Sequence, residues 1–509
     1  MTPRSLLDSI QSPADLKKIP LEALPDLAEE VRQELLEVIS NTGGHLASNL
    51  GIVELTIALL RVFDPPTDTI VWDTGHQGYV YKLLTGRRRL FRQLRQDDGC
   101  CGFLHRDESP CDAFGAGHAG TAISAAMGFA VARDQAGGHE KVVAVVGDGA
   151  MGCGTSLEGL NYIVDATDDL VLIINDNMMS IAPNVGAISR CLNRVISGAS
   201  YNRFKDFVAR MVAAIPVVGR GLKRGVRRME EAAKGMLLPG LLFEELGLRY
   251  IGPLDGHDIP SLVQTFTNIR RLRQPIVIHV LTEKGHGYHH AEQAPEKFHG
   301  LPSFDVASGE RLGTPERATD PPSFSAAMGH QLCDVLARDE RAIAISAGMC
   351  EGTGLGPIRE TYPKRFFDVG IAEEHAVVFA AGMAAAGYHP IVAIYATFMQ
   401  RAMDYVFHDV CLQNLPVLFC LDRSGIVDDG PTHHGISDLA FWRALPNLTL
   451  AQPADQWELE QMMSLLLEGG GPAMIRYPKG SAAALPVAER APLAPGRAEG
   501  LRTGADVAI

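Results

Sequence analysis

The sequence predicts an α/β protein built on two doubly wound parallel sheets. Three observations carry that prediction. Val142–Val146 and Leu170–Ile174 are continuous apolar runs, the pattern of parallel strands buried on both faces. The stretch Ser156–Ala166 between them has helical character, so strand and helix alternate. The alternation resumes after Ser323, where RAIAISAGM, RFFDVG, HPIVAIYA, LPVLFCLD and LTLAQPA read as strands separated by helical stretches.

Length and composition bound the answer. A chain of 509 residues exceeds one core and fits roughly two to four domains. The net charge of −14 at pH 7 argues against nucleic acid or an anionic membrane as the main partner, but leaves room for a local basic pocket. Nine cysteines without a CxxC pair point to a reducing cytoplasm rather than a disulfide framework. The opening MTPRSLLDSIQSPADLKKIP has no apolar signal core. No uncharged apolar run reaches the ~18 residues that a membrane span needs.

In chain order, SPADLKKI and LPDLAEEVRQELLEVIS predict helices in residues 1–40. Three histidines follow, each beside glycine at a strand-to-helix junction: His45 in NTGGHLASNL, His76 in VWDTGHQG and His118 in GAGHAG. A lone histidine is commonly structural; three in this setting suggest a polar pocket able to move protons near neutral pH. The stretch Lys141–Asn177 then reads strand, Gly-rich turn, helix, strand. GDG closes the first strand and NDN the second, so oxygen-bearing side chains gather at one sheet edge, where ligands of open α/β sheets sit. Asp148 offers a carboxylate and Asn177 an amide oxygen, donors suited to Mg²⁺ shared with a bound phosphate. The following helix N-terminus suits a diphosphate. An ordinary turn with an aspartate cap would explain GDG alone.

Residues 183–240 are rich in Arg and Lys with interleaved apolar residues. They are expected to be a solvated cationic face or a mobile cover over an anionic pocket. Domain boundaries are expected at 1–300, a linker at 301–320, and 321–485 for the second α/β domain. Residues 486–509 end in the apolar GADVAI, which reads as the start of a further, truncated α/β domain. In the second domain, FDVGIAEEHAVVFAAGMAAAG places Glu373 and Glu374 at a helix start, where acidic capping would account for both. Arg423 and Arg476 adjoin buried strands and need either a carboxylate partner or a substrate phosphate; the phosphate is preferred.

GGHLASNLGIVELTIAL, VWDTGHQGYVYKLLTGRR, GDGAMG…NDNMMSIAPNVG, GLLFEELGLRYIGPLDGHD, EKGHGY, FDVGIAEEHAVVFAAGMAAAGYHPIVAIYATFMQRAMDYVFHDV, LDRSGIVDDGPTHHG and IRYPKG together resemble the 1-deoxy-D-xylulose-5-phosphate synthase family of transketolase-like, thiamine-diphosphate (ThDP) enzymes. The resemblance runs from about Leu6 to Gly480. It implies ThDP and Mg²⁺ as cofactors, pyruvate and D-glyceraldehyde 3-phosphate as substrates, a homodimer, and the first step of the non-mevalonate isoprenoid route. It assigns Asp148, Asn177 and the main-chain carbonyl of Met179 to the metal. His76, Gly117, His118, Ala119, Gly149, Ala150, Asn177, Tyr288, Glu373 and Phe398 fall to the cofactor. Glu373 is set against N1′ of the aminopyrimidine, leaving capping to Glu374. His45, His76, His299 and His433 would handle protons and oxyanions. Tyr395, Arg401, Arg423, Asp429, His433 and Arg476 would bind substrate.

The chain departs from the family pattern in places. GHAGTAIS stands for the more usual GHSSTSIS, Met178 for a common acidic residue, Glu374 for Gln, and His286 for a basic residue. These departures, with the truncation, keep two other readings open. One is another ThDP enzyme, such as a transketolase or a 2-oxo acid dehydrogenase component; the other is a non-catalytic paralogue.

Overall fold

The computed structural model describes residues 5–179, 185–197, 238–312, 320–485, 490 and 492–497. The chain divides into two compact units. The first comprises Met1–Pro315 with Gly370–Ala372 and Asp428–Thr432; the second comprises Glu316–Val369, Glu373–Val427 and His433–Ile509. Most of the basic stretch 183–240 and of the closing stretch 486–509 lies outside the described residues.

The first unit carries strands β1 (Thr69–Trp72), β2 (Val142–Gly147), β3 (Val171–Asp176), β4 (Arg249–Asp255) and β5 (Ile276–Leu281). They form one sheet in the order β1-β2-β3-β5-β4, with every pairing parallel. The apolar runs split their side chains between two cores. Val143, Val145, Val171 and Ile173 join the core under the helices Leu24–Thr42 and Val53–Val62. Val142, Ala144, Val146, Leu172 and Ile174 join the core under the helices Ala122–Gln135 and Gly154–Ala166. A strand buried on both faces has no polar side, so it reads as unbroken hydrophobicity. Each such Val, Leu or Ile contributes about 1.5–3 kcal/mol on burial.

The second unit carries β6 (Ala342–Ser346), β7 (Phe366–Asp368), β8 (His389–Tyr395), β9 (Leu418–Asp422), β10 (Thr449–Ala451) and β11 (Ala473–Arg476). Their order is β10-β11-β9-β8-β6-β7, again all parallel. The predicted fold class, α/β with two parallel sheets, is what the structure shows. Strand β4 is not among the strands expected from the sequence, and Pro253 lies inside it. The structure accommodates the proline by placing β4 at the sheet edge with a register shift between Ile251 and Leu254, where a missing N–H is tolerated.

Register fixes what meets at the carboxyl edge of the first sheet. Gly147 pairs with Asn175, and Asn175 with Val280. The residues that follow, Asp148, Asn177 and the Thr282–Lys284 turn, therefore leave the sheet side by side.

Candidate functional site

In the first unit, the turn after β2 carries Asp148, which is buried. Its carboxyl is pushed well above the usual carboxylate range, first by burial and then by the adjacent Asp176. Asp176 itself is held below that range: burial raises it, but hydrogen bonds from His279 and Asp148 outweigh this. Asn177 Oδ1 accepts from the Met179 N–H at 3.1 Å. Carboxylate, amide oxygen and nearby main-chain carbonyl form a hard-oxygen donor set, and two abutting buried carboxyls call for a cation. The residues present thus fit a Mg²⁺ ion bound with a phosphate group.

Asp73, at the end of β1, sets the neighbouring loop. Its oxygens accept the Gly120 N–H at 2.9 and 3.0 Å and the Ala122 N–H at 3.0 Å, capping the helix Ala122–Gln135 and presenting Gly117, His118 and Ala119. His118 Nε2 lies 2.8 Å from the Thr432 carbonyl. Gly117 has φ +151, and a Cβ there would sit 2.6 Å from Thr432 Cβ, so a side chain is excluded.

His45, His76 and His299 form a triangle. Ring centroids are 5.8 Å apart for His45–His76 and 5.4 Å for each contact with His299. Asn49, fully buried, ties two of these turns together. Its Nδ2 donates to the carbonyls of His45 and His76, both at 2.7 Å, while its Oδ1 accepts the Tyr79 N–H at 2.9 Å. The rings of His76 and His299 are driven well below their ordinary pKa. Burial is the main cause in both, aided by His45 and Lys284 at His76, and by Lys284, His76 and His45 at His299. The expectation of proton exchange near neutral pH therefore needs correction for these two: at pH 7 they are neutral hydrogen-bonding groups. His76 Nδ1 is sealed from solvent without a hydrogen-bond partner among the described residues, as a polar atom that a ligand could satisfy.

Lys284, which no sequence motif singles out, belongs here. It is buried, and burial lowers it to about 8 against the raising influence of Asp148 and Glu296. Asp429 lies in the first unit as well, paired with Arg95 at 3.0 Å. The Tyr288 hydroxyl donates to the Val306 carbonyl at 2.8 Å and its ring packs among Phe298 and Phe304.

In the second unit, Glu373 opens the helix Glu373–Ala385. Ala376, Val377, Ala380, Ala381 and Ala384 are its buried face; Glu373 lies on that stripe and Glu374 one position off it. Glu373 is 1 % exposed, and its carboxyl is pushed up to about 7, chiefly by burial, with Arg401 opposing. Arg401 Nη1 lies 3.4 Å from Glu373 Oε2.

Tyr395, Phe398, Arg423 and His433 assemble into one layer. The Arg423 guanidinium sits 3.9 Å from the Tyr395 ring centroid. Tyr395 stacks on Phe398 at 5.7 Å, and Phe398 meets His433 edge-on at 5.3 Å. Arg476 departs from its predicted partner. Its guanidinium bonds Asp438 at 2.8 and 3.1 Å, the Gly435 carbonyl at 3.0 Å, and Gln452. The carboxylate partner, less favoured from sequence, is the one present, because a charge this buried requires it.

Residues 7–282 match the family described as 1-deoxy-D-xylulose-5-phosphate synthase, and residues 320–483 match the transketolase pyrimidine-binding domain. The chain is similar to 1-deoxy-D-xylulose-5-phosphate synthase 1 of Geobacter sulfurreducens, at 51% identity over 99% of this chain and 79% of the relative. A second synthase of that organism is 50% identical over 99% of this chain and 80% of its own length. The synthase of Methylacidiphilum infernorum is 48% identical over 99% and 79% respectively.

Proposed function

The chain belongs to the 1-deoxy-D-xylulose-5-phosphate synthase family, and on that premise we propose how its residues divide the work. The reaction is the ThDP-dependent condensation of pyruvate with D-glyceraldehyde 3-phosphate, giving 1-deoxy-D-xylulose 5-phosphate and CO₂. When bound, ThDP supplies the carbanion chemistry, and the protein supplies binding, orientation and electrostatics.

Asp148, Asn177 and the Met179 carbonyl would hold Mg²⁺ on the diphosphate, with Gly149, Ala150 and the Gly117–Ala119 loop along it. Glu373 would face the aminopyrimidine N1′. A carboxyl at about 7 is half-protonated near neutrality, so it can give a proton to a ring nitrogen and take it back. Phe398 offers an aromatic face for the pyrimidine. His76 and His299, held neutral, would donate and accept hydrogen bonds at the reacting carbonyls, with Lys284 supplying positive charge. Arg423 is suited to the sugar phosphate through its planar fork. Arg476 would contribute there only through the single N–H that its partners leave free.

The observation that carries this reading is Glu373, a buried carboxyl on the core stripe of its helix with its proton poised near neutral pH. The test is a coupled assay for 1-deoxy-D-xylulose 5-phosphate, comparing the chain with Glu373→Ala. Product that needs both substrates, lost in the variant, is expected. CO₂ release from pyruvate that is independent of glyceraldehyde 3-phosphate would refute the synthase reading in favour of another ThDP enzyme. Among the described residues no helix is long and apolar enough to cross a membrane. A homodimer in the cytoplasm is part of the same proposal.

A further inference from the structure

Behind the expected metal donors runs a chain of three side chains, of which Asp176 and His279 are buried and Tyr250 half-buried. His279 sits in the middle of the apolar strand β5, paired in register with Ile174 of β3, and is fully buried. Its Nε2 lies 2.8 Å from Asp176 Oδ2, and its Nδ1 lies 2.8 Å from the Tyr250 hydroxyl. An imidazole offers one ring nitrogen to each neighbour, so His279 bridges the Asp176 carboxyl and the Tyr250 hydroxyl through its two nitrogens. Asp176 Oδ1 meanwhile accepts the Met178 N–H at 3.0 Å. That bond holds Met178 at φ +62, a left-handed conformation that costs a non-glycine residue about 1 kcal/mol or more.

The consequence lies one residue to either side. The turn held by Asp176 carries Asn177 and Met179, and the carboxyl of Asp176 touches that of Asp148. All three expected metal donors thus meet Asp176 directly or through one peptide unit. The chain is also fixed from behind. Gly252 of β4 has φ +142, and a Cβ there would sit 2.5 Å from the His279 carbonyl oxygen, so the edge strand closes directly over His279. Tyr250 is stacked on Phe243 at 5.8 Å and 6°.

We propose that Tyr250–His279–Asp176 is the orienting element of the metal half-site, fixing where Asp148, Asn177 and Met179 present their oxygens and so setting the affinity for the Mg²⁺–diphosphate pair. These are positioning residues acting through the donors, as outer-shell partners do in metal sites generally. The inference rests on the reading that the chain binds ThDP with Mg²⁺.

The test is calorimetric ThDP binding by the full chain across a magnesium titration, alongside the melting temperature without ligand. In His279→Phe the magnesium needed for half-maximal ThDP binding should rise roughly 10–100-fold, with binding regained at saturating magnesium. His279→Gln, whose amide can still donate to Asp176, should return it to within a few-fold of wild type, which a purely space-filling role would not do. Tyr250→Phe should show a smaller rise. Unchanged magnesium dependence in a folded His279→Phe overturns the inference while leaving the functional reading intact. Should that variant not fold, unchanged dependence in Tyr250→Phe overturns it equally. Wild-type protein that binds no ThDP at any magnesium concentration overturns the functional reading and the inference together.

Discussion

Replacing Glu373 by Gln should make the protein more stable and nearly inactive. The carboxyl is held at about 7 in the fold, against an ordinary 4.5, and burial is the largest cause. A carboxyl raised on folding favours the folded state most below the unfolded value, and that contribution is lost as pH rises through the folded one. Integrated, the wild-type penalty is about 1 kcal/mol at about pH 5.5 and about 3 kcal/mol at about pH 8. The variant lacks this penalty, and the 3.4 Å contact with Arg401 is already contained in the shifted value. The net gain at about pH 8 is then about 3 kcal/mol, or roughly 6–12 °C in melting temperature. At about pH 4, below both values, the two proteins should melt nearly together. Scanning fluorimetry across this range reads the gap directly. The coupled assay should show turnover down about 10²–10⁴-fold, since an amide cannot exchange the N1′ proton. A gap that does not widen with pH would refute the burial argument. Wild-type turnover in the variant would refute the assigned role.

Three further outcomes are expected. Asn49→Ala removes two donors and an acceptor from the histidine turns; it should cost about 2–4 kcal/mol, read as a lowered denaturant midpoint. Asp438→Ala leaves the Arg476 guanidinium buried without its carboxylate; it should cost about 3–5 kcal/mol, and a melt unchanged from wild type would show the pair to be dispensable. Lys284→Met removes the cation facing Asp148, His76 and His299; it should lower kcat/KM by about 10²-fold. Because burial sets Lys284 at about 8, wild-type kcat/KM should fall as pH rises through that value, and the pH–rate profile of the variant should lose that limb.

Much of this was legible in the amino-acid order, and the reason is periodicity. Val142–Val146 and Leu170–Ile174 are apolar at every position because both faces of a parallel strand are covered, so the strands and the edge carrying Asp148 and Asn177 could be placed at once. The helix from Glu373 announces its buried stripe at Ala376, Val377, Ala380, Ala381 and Ala384. That spacing puts Glu373, and not Glu374, on the inner face.

What only the tertiary structure decided is partnership. Sequence spacing carries no information on which distant side chains will meet. Arg476 follows the same apolar run whether it faces a phosphate or Asp438, and the fold chose Asp438. Tyr288 stands in a string that suggests the cofactor, and it is the fold that gives its hydroxyl the Val306 carbonyl. His76 and His299 carry no mark of being neutral, because their shifts arise from burial and from Lys284, two features that exist only after folding. His279 and Tyr250, residues of neighbouring strands that appear unremarked in β5 and β4, become one hydrogen-bonded chain with Asp176 through sheet order alone. Local sequence determined which residues could do chemistry; long-range packing determined which of them are left free to do it.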